Sequence, residues 1–109
     1  MKFVTFTSMK DSASMIPAAT SRQLMEATVG YLKQMKQSGK ILEAYALAGS
    51  GRTMTIADLD SPEEVAQMIA RVPFGPFLNW ETYPLADFEE MMKYQIESVK
   101  KAEQLFPCK

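Results

Sequence analysis

The chain has 109 residues, 12 Lys and Arg against 13 Asp and Glu, a net charge of −1, 47% apolar and 23% charged residues. This composition predicts one globular domain, 1–109, and supplies no electrostatic case for nucleic acid or an anionic membrane. Histidine is absent and Cys108 is the one cysteine, which excludes histidine-dependent nucleophiles, an intrachain disulfide and histidine-ligated zinc or haem.

Residues 2–8 alternate as a strand, with Val4 and Phe6 on one face and Phe3 and Thr5 on the other. Residues 9–19 read as a loop longer than the usual connection, either a mobile surface loop or a lid. Thr20 opens a helix with Gln23 as its capping-box partner, and Leu24, Ala27, Thr28, Tyr31, Leu32 and Met35 form its apolar face. Gly39 suits the residue after its end. Ile41 to Ala48 is a strand, Gly49-Ser50-Gly51 a hairpin turn, and Arg52 to Leu59 the returning strand.

The next stretch is the most specific. Ser61 is a helix N-cap, Pro62 occupies the first helical position, and Glu64 completes a capping box. Val65, Met68, Ile69 and Val72 recur on one face until Pro73 stops the helix. Gly75-Pro76 is a turn; Phe77 to Tyr83 is an aromatic strand closed by Pro84. Asp87, with Glu90, then caps a last helix that carries Met91, Met92, Ile96, Val99 and Phe106.

The order is β-α-β-β-α-β with an extra C-terminal helix. It predicts an α+β fold, a ferredoxin-like antiparallel sheet with its helices on one face. The strands carry large apolar groups on both faces. Strand two sets Leu42, Ala44 and Ala46 against Ile41, Tyr45 and Leu47; strand four sets Leu78 and Trp80 against Phe77 and Tyr83. A chain this short covers one face with its own helices, so the second face is expected to meet another copy, giving a homodimer or higher homo-oligomer. No apolar run approaches 18 residues, and the first residues are too short and polar for a signal segment, so a cytoplasmic location is expected.

The strand and helix order, together with residues 61–85, resembles the dimeric α+β barrel superfamily. Within it, the pattern is similar to that of muconolactone isomerase-like proteins. The helix, Pro73-Phe74, the aromatic strand with Glu81, and Pro84-Leu85 carry the likeness; Asp58-Leu59-Asp60 resembles the strand-to-helix junction. The resemblance implies two sheets packed face to face and a ligand cavity between sheet and helices or at a subunit boundary. The terminal helix is longer than in the isomerase pattern, whose C-terminal segment shapes the active site.

Strand alternation places Asn79, Glu81 and Tyr83 on one face. A carboxylate among aromatics is a candidate general base, the proton carrier for moving a double bond beside a carbonyl. Asn79, Tyr45 and Tyr83 are candidate donors to the oxygen, and Arg52 a clamp for a substrate carboxylate. Glu81 also reads as a structural residue at a sheet edge or interface, paired with an Arg or Lys. No metal and no cofactor are expected: Gly49-Ser50-Gly51 lacks phosphate-loop spacing, and Cys108 has no histidine to activate it. Three functions stay open. One is a cofactor-independent isomerase of an unsaturated lactone-like or aromatic-derived small molecule. Another is a cofactor-independent monooxygenase of an aromatic substrate. The third is a non-catalytic, oligomeric ligand-binding accessory protein.

Overall fold

The computed structural model describes residues 1–106; Cys108 lies outside the described residues. Four strands, β1 (Lys2–Met9), β2 (Ile41–Leu47), β3 (Arg52–Asp58) and β4 (Leu78–Pro84), form one antiparallel sheet in the order β2-β3-β1-β4. Helices α1 (Ala18–Gln37) and α2 (Pro62–Arg71) lie on one of its faces, and α3 (Phe88–Leu105) follows β4. This is the expected α+β ferredoxin-like arrangement with an extra C-terminal helix.

Sequence signals set most of these bounds. The Ser61 hydroxyl accepts from the Glu64 amide at 3.2 Å, and Asp87 accepts from the Glu90 amide at 3.0 Å. Gly49 and Gly51, at φ of 79° and 68°, supply the left-handed backbone of the β2–β3 turn. The Glu64 side chain departs from the expected box: it accepts from the Asp60 amide at 3.0 Å and pairs with Lys40 Nζ at 2.9 Å. The Asp60 amide, and after it Lys40, hold the Glu64 carboxyl below its ordinary pKa. A depressed native pKa stabilises the fold above the unfolded pKa, and the contribution is lost as pH falls through the native value. Urea titrations of wild type and Glu64→Gln are therefore expected to converge at acid pH and separate, with wild type the more stable, above about pH 5.

Three boundaries differ from the sequence reading. The loop after β1 holds a short 3-10 turn over Asp11–Met15, and α1 begins at Ala18. Its cap is Pro17, whose carbonyl accepts from the Ser21 amide at 2.9 Å, so the Thr20–Gln23 box falls inside the helix. A second 3-10 turn, Gly75–Phe77, delays β4 to Leu78. A register irregularity between Ile41 and Glu43 divides β2. Ile41 pairs with Ala57, yet Ala44 pairs with Thr55, so this bulge brings Ile41 to the same face as Ala44 and Ala46. The strict alternation that set Ile41 beside Tyr45 is corrected by that one extra residue.

The cross-strand rows explain the packing. On the helix face, Ile41, Ala57, Phe3 and Pro84 form one row across the sheet. Phe3, Ile41 and Ala57 pack with Leu59, Val65 and Met68 as the core, and Tyr31, Leu32, Met35 and Ile69 border it. Burial pushes the Tyr31 phenol pKa up, and its hydroxyl donates to the Met68 carbonyl at 3.3 Å. On the open face, Tyr45, Met54, Phe6 and Glu81 form a row, and Glu43, Ile56, Val4 and Tyr83 the next. Among the described residues no helix packs on that face.

Candidate functional site

Beyond the core row, the helix face of the sheet is floored by small side chains. One row is Ala44, Thr55, Thr5 and Thr82; the next is Ala46, Thr53 and Thr7, with the large Trp80 ring at its β4 end. Residues this short do not fill the space beneath two helices at native packing density. A cavity of about 150 Å³ results, bounded by Thr5, Thr7, Thr53 and Thr55, by Leu32 and Thr28 of α1, by Met68 and Val72, and by Leu78 and Trp80. Its wall is largely apolar with hydroxyls on one side, which is the usual make-up of a small-molecule site.

The hydroxyls are positioned by one another. Thr5 and Thr82 are 3.1 Å apart, and Thr7 is hydrogen-bonded to Thr53. Either member of each pair can donate, so each can turn a proton or a lone pair toward a ligand. Thr28 is spoken for: it donates to the Leu24 carbonyl at 2.8 Å and accepts from the Phe74 amide at 3.0 Å. Trp80 closes the end of the cavity. Its indole N–H donates to the Gly75 carbonyl at 3.1 Å, and a Cβ at residue 75 would sit 3.6 Å from its ring and 3.2 Å from the Ile69 carbonyl oxygen. The ring distance is ordinary van der Waals contact; it is the Ile69 carbonyl oxygen that a side chain at 75 would crowd.

The residues singled out from sequence stand on the other face. Arg52 Nη2 is 3.9 Å from Glu81 Oε2, and the Tyr83 hydroxyl donates to the same oxygen at 3.4 Å. The Arg52 guanidinium lies 5.6 Å above the Phe6 ring, which meets Tyr83 edge-on. Asn79 shares that face and donates to Ser8 Oγ at 3.4 Å. Tyr45 does not join them. Three strand spacings, about 14 Å, separate it from Glu81 in their common row. Its hydroxyl donates to Glu43 at 2.6 Å, a bond that pushes the phenol pKa up. Arg52, Glu81 and Tyr83 thus form one exposed cluster, with Asn79 beside it.

The cavity lining contains none of these five residues and no titratable side chain. In the sequence its threonines show only as Thr5-Phe6-Thr7 and Thr53-Met54-Thr55. Both repeat a hydroxyl at every second position of an otherwise apolar strand.

Known proteins share this architecture. The solved muconolactone isomerase superposes with a TM-score of 0.72 at 21% identity, over 80% of this chain and 90% of that one. The 5-chloro-2-hydroxyhydroquinone dehydrochlorinase of Burkholderia phenoliruptrix gives 0.60 at 16% identity, over 83% and 98%. Both are likenesses of fold. A muconolactone delta-isomerase of Rhodococcus opacus is 29% identical over 55 residues, a match spanning 50% of this chain and 59% of that relative's length. The family model for muconolactone delta-isomerase matches residues 1–91, which takes in the whole sheet, α1 and α2. On that match the chain belongs to the muconolactone delta-isomerase family.

Proposed function

We propose that this protein binds a small, single-ring molecule in the threonine-lined cavity. The observation that carries the reading is a cavity of about 150 Å³, apolar on most sides, with a ladder of hydroxyls along its sheet wall. A void of about that size in an apolar core accepts a benzene ring. The Thr5, Thr7 and Thr55 hydroxyls suit the carbonyl of an unsaturated lactone or the oxygen of a phenol. A dehydrochlorinase of this fold was solved with 2,5-dihydroxybenzoquinone, a ligand of one ring.

The test is a thermal-shift screen with unsaturated lactones and phenols, followed by Thr7→Val and Thr55→Val. A ligand at a hundred times its Kd adds about 2.7 kcal/mol to stability, enough to raise the melting temperature by several degrees. Each valine keeps the volume and removes one hydroxyl. A hydrogen bond worth about 1 kcal/mol then predicts a loss of about fivefold in affinity where that hydroxyl meets the ligand. Unaltered affinity in both variants would move the ligand out of the cavity.

The cluster of Arg52, Glu81 and Tyr83 favours a second reading, a cofactor-independent isomerase working on the open face. Shifting a double bond beside a carbonyl needs a proton carrier, and the cavity wall has none. Glu81 has the chemistry for it, Arg52 for holding a substrate carboxylate, and Tyr83 and Asn79 for donating to the developing oxyanion.

Both readings use self-association. Val4, Phe6, Met54 and Ile56 are half-buried in one chain, and Tyr45 and Tyr83 are 50% and 52% exposed. A second copy's sheet is the natural cover for such a face. Sedimentation is expected to give a dimer or larger species for the wild type, and a smaller one for Ile56→Lys. A wild-type monomer at micromolar concentration would contradict this.

A further inference from the structure

The threonine-lined cavity has a mouth at one end of the sheet. Its wall is buried or half-buried except at Met9, Gly51 and Thr53, which are exposed. Strand register gathers these three. Thr7 pairs with Thr53, and the same register carried to the end of β1 sets Met9 opposite Gly51. On its other side Met9 pairs with Leu78, itself a wall residue. Alternation along β1 puts Met9 on the helix face with Phe3, Thr5 and Thr7. Gly51 has no side chain, and Thr53 is short and bonded to Thr7. Among these rim residues Met9 therefore has the bulk to obstruct the mouth.

A second hollow lies outside it. A groove of about 540 Å³ sits between the end of β1, the Asp11–Met15 turn and α1, lined by Lys10, Asp11, Ser14, Ser21 and Phe74 among others. Among the described residues, Met9 alone lines both the groove and the cavity. Its side chain is the partition between an apolar inner space and a polar outer one. The surroundings of the partition are held in place. The Lys10 amide donates to the Phe77 carbonyl at 2.9 Å, and the Ser14 hydroxyl donates to the Asp11 carbonyl at 2.8 Å. Met9 itself has room to turn. It is 52% exposed, its thioether stem is unbranched, and a Cβ at Gly51 would meet nothing within 4 Å.

We propose that Met9 is the specificity gate of the threonine-lined cavity and limits its ligand to one ring. The inference rests on that cavity being the binding site. With Met9 across the mouth, the space of about 150 Å³ matches a benzene-sized ring. A second, fused ring has no room among the buried wall residues. It has to project through the mouth into the outer groove, and the Met9 side chain stands in that path. The class accepted is a monocyclic phenol or unsaturated lactone; fused bicyclic molecules of the same chemistry are rejected. The hydroxyl ladder is offered equally to both, so the discrimination is one of size.

The test uses two matched pairs of probes, phenol against 2-naphthol and furan-2(5H)-one against coumarin. Affinities are measured by calorimetry on the full chain for wild type, Met9→Ala, Met9→Leu and Thr7→Val. The exposure of Met9 keeps these substitutions out of the core, and melting without ligand verifies the fold. Met9→Ala is expected to raise the ratio of fused-ring to single-ring affinity by at least about tenfold, since it frees space worth more than a methylene group. Met9→Leu is close in volume and is expected to hold the ratio near that of wild type. Thr7→Val reports on the cavity itself. An unchanged ratio in Met9→Ala, with phenol binding still weakened by Thr7→Val, would overturn the gate and leave the cavity as the site. Wild type that takes 2-naphthol as tightly as phenol would overturn it in the same way. Single-ring binding that ignores Thr7→Val, or no binding of any probe, would overturn the gate and the cavity together.

Discussion

Trp80→Ala is expected to lower the stability of the fold by about 3 kcal/mol, the lower end of the range for truncating a large aromatic side chain, because the ring is half-buried. Three losses add up. The ring no longer closes the end of the cavity, so the void at the sheet wall grows into the space between Leu78 and Val72. The Gly75 carbonyl loses its indole donor. The Gly75–Phe77 turn loses the ring that packs on residue 75, and with it the geometry that starts β4 at Leu78. Thermal melting should show a fall of about 10 °C or more for a chain of this size. Trp80→Phe keeps most of the ring but not the N–H, and should recover more than half of the loss. A melting temperature unchanged in Trp80→Ala would mean that Trp80 is not a wall of the cavity at all.

Glu81→Gln is expected to leave ligand affinity within a factor of two, because Glu81 and the cavity lie on opposite faces of the sheet. Any turnover of an unsaturated lactone should fall by about 10² to 10⁴ in the same variant, the usual cost of removing a general base. The stability change reports on assembly. In one chain Arg52 and Glu81 are 43% and 58% exposed, and such a pair is worth about 1 kcal/mol at most. Under a second sheet the same pair is enclosed, and removing one charge then costs about 3–5 kcal/mol. Affinity, turnover and melting measured together on one variant separate binding in the cavity from chemistry on the open face. Turnover retained in Glu81→Gln would return that carboxylate to a structural role beside Arg52.

Signals that act within a few residues were legible in the sequence. Ser61 before Pro62, and Asp87 before Phe88, mark helix starts because a hydroxyl or carboxylate oxygen meets an amide three residues on. Val65, Met68 and Val72 read as the buried face of α2 because one helix sets their spacing. The family resemblance lay in the same short-range features. What escaped the sequence depends on which strands become neighbours. Thr5 and Thr7 of β1 and Thr53 and Thr55 of β3 make one hydroxyl wall only because these two strands, distant in sequence, become neighbours. The bulge between Ile41 and Glu43 reverses a face by one residue, and no residue type near it announces the shift. Asn79, Glu81 and Tyr83 share a face as alternation requires, and Arg52 joins them across β1. Tyr45 stands on the same face but at the far strand, a separation that depends on strand order.

The position of the ligand is the direct test of the central claim. Methyl-resolved nuclear magnetic resonance of the full chain, titrated with an unsaturated lactone or a phenol found by thermal shift, distinguishes the two faces of the sheet in one experiment. Methyl groups of Thr5, Thr7, Thr55, Leu32, Ile41 and Met68 line the cavity; those of Val4, Met54 and Ile56 stand on the open face. The account predicts saturable shifts in the first set and none beyond background in the second. Shifts confined to Val4, Met54 and Ile56 would contradict it and move the site to the open sheet.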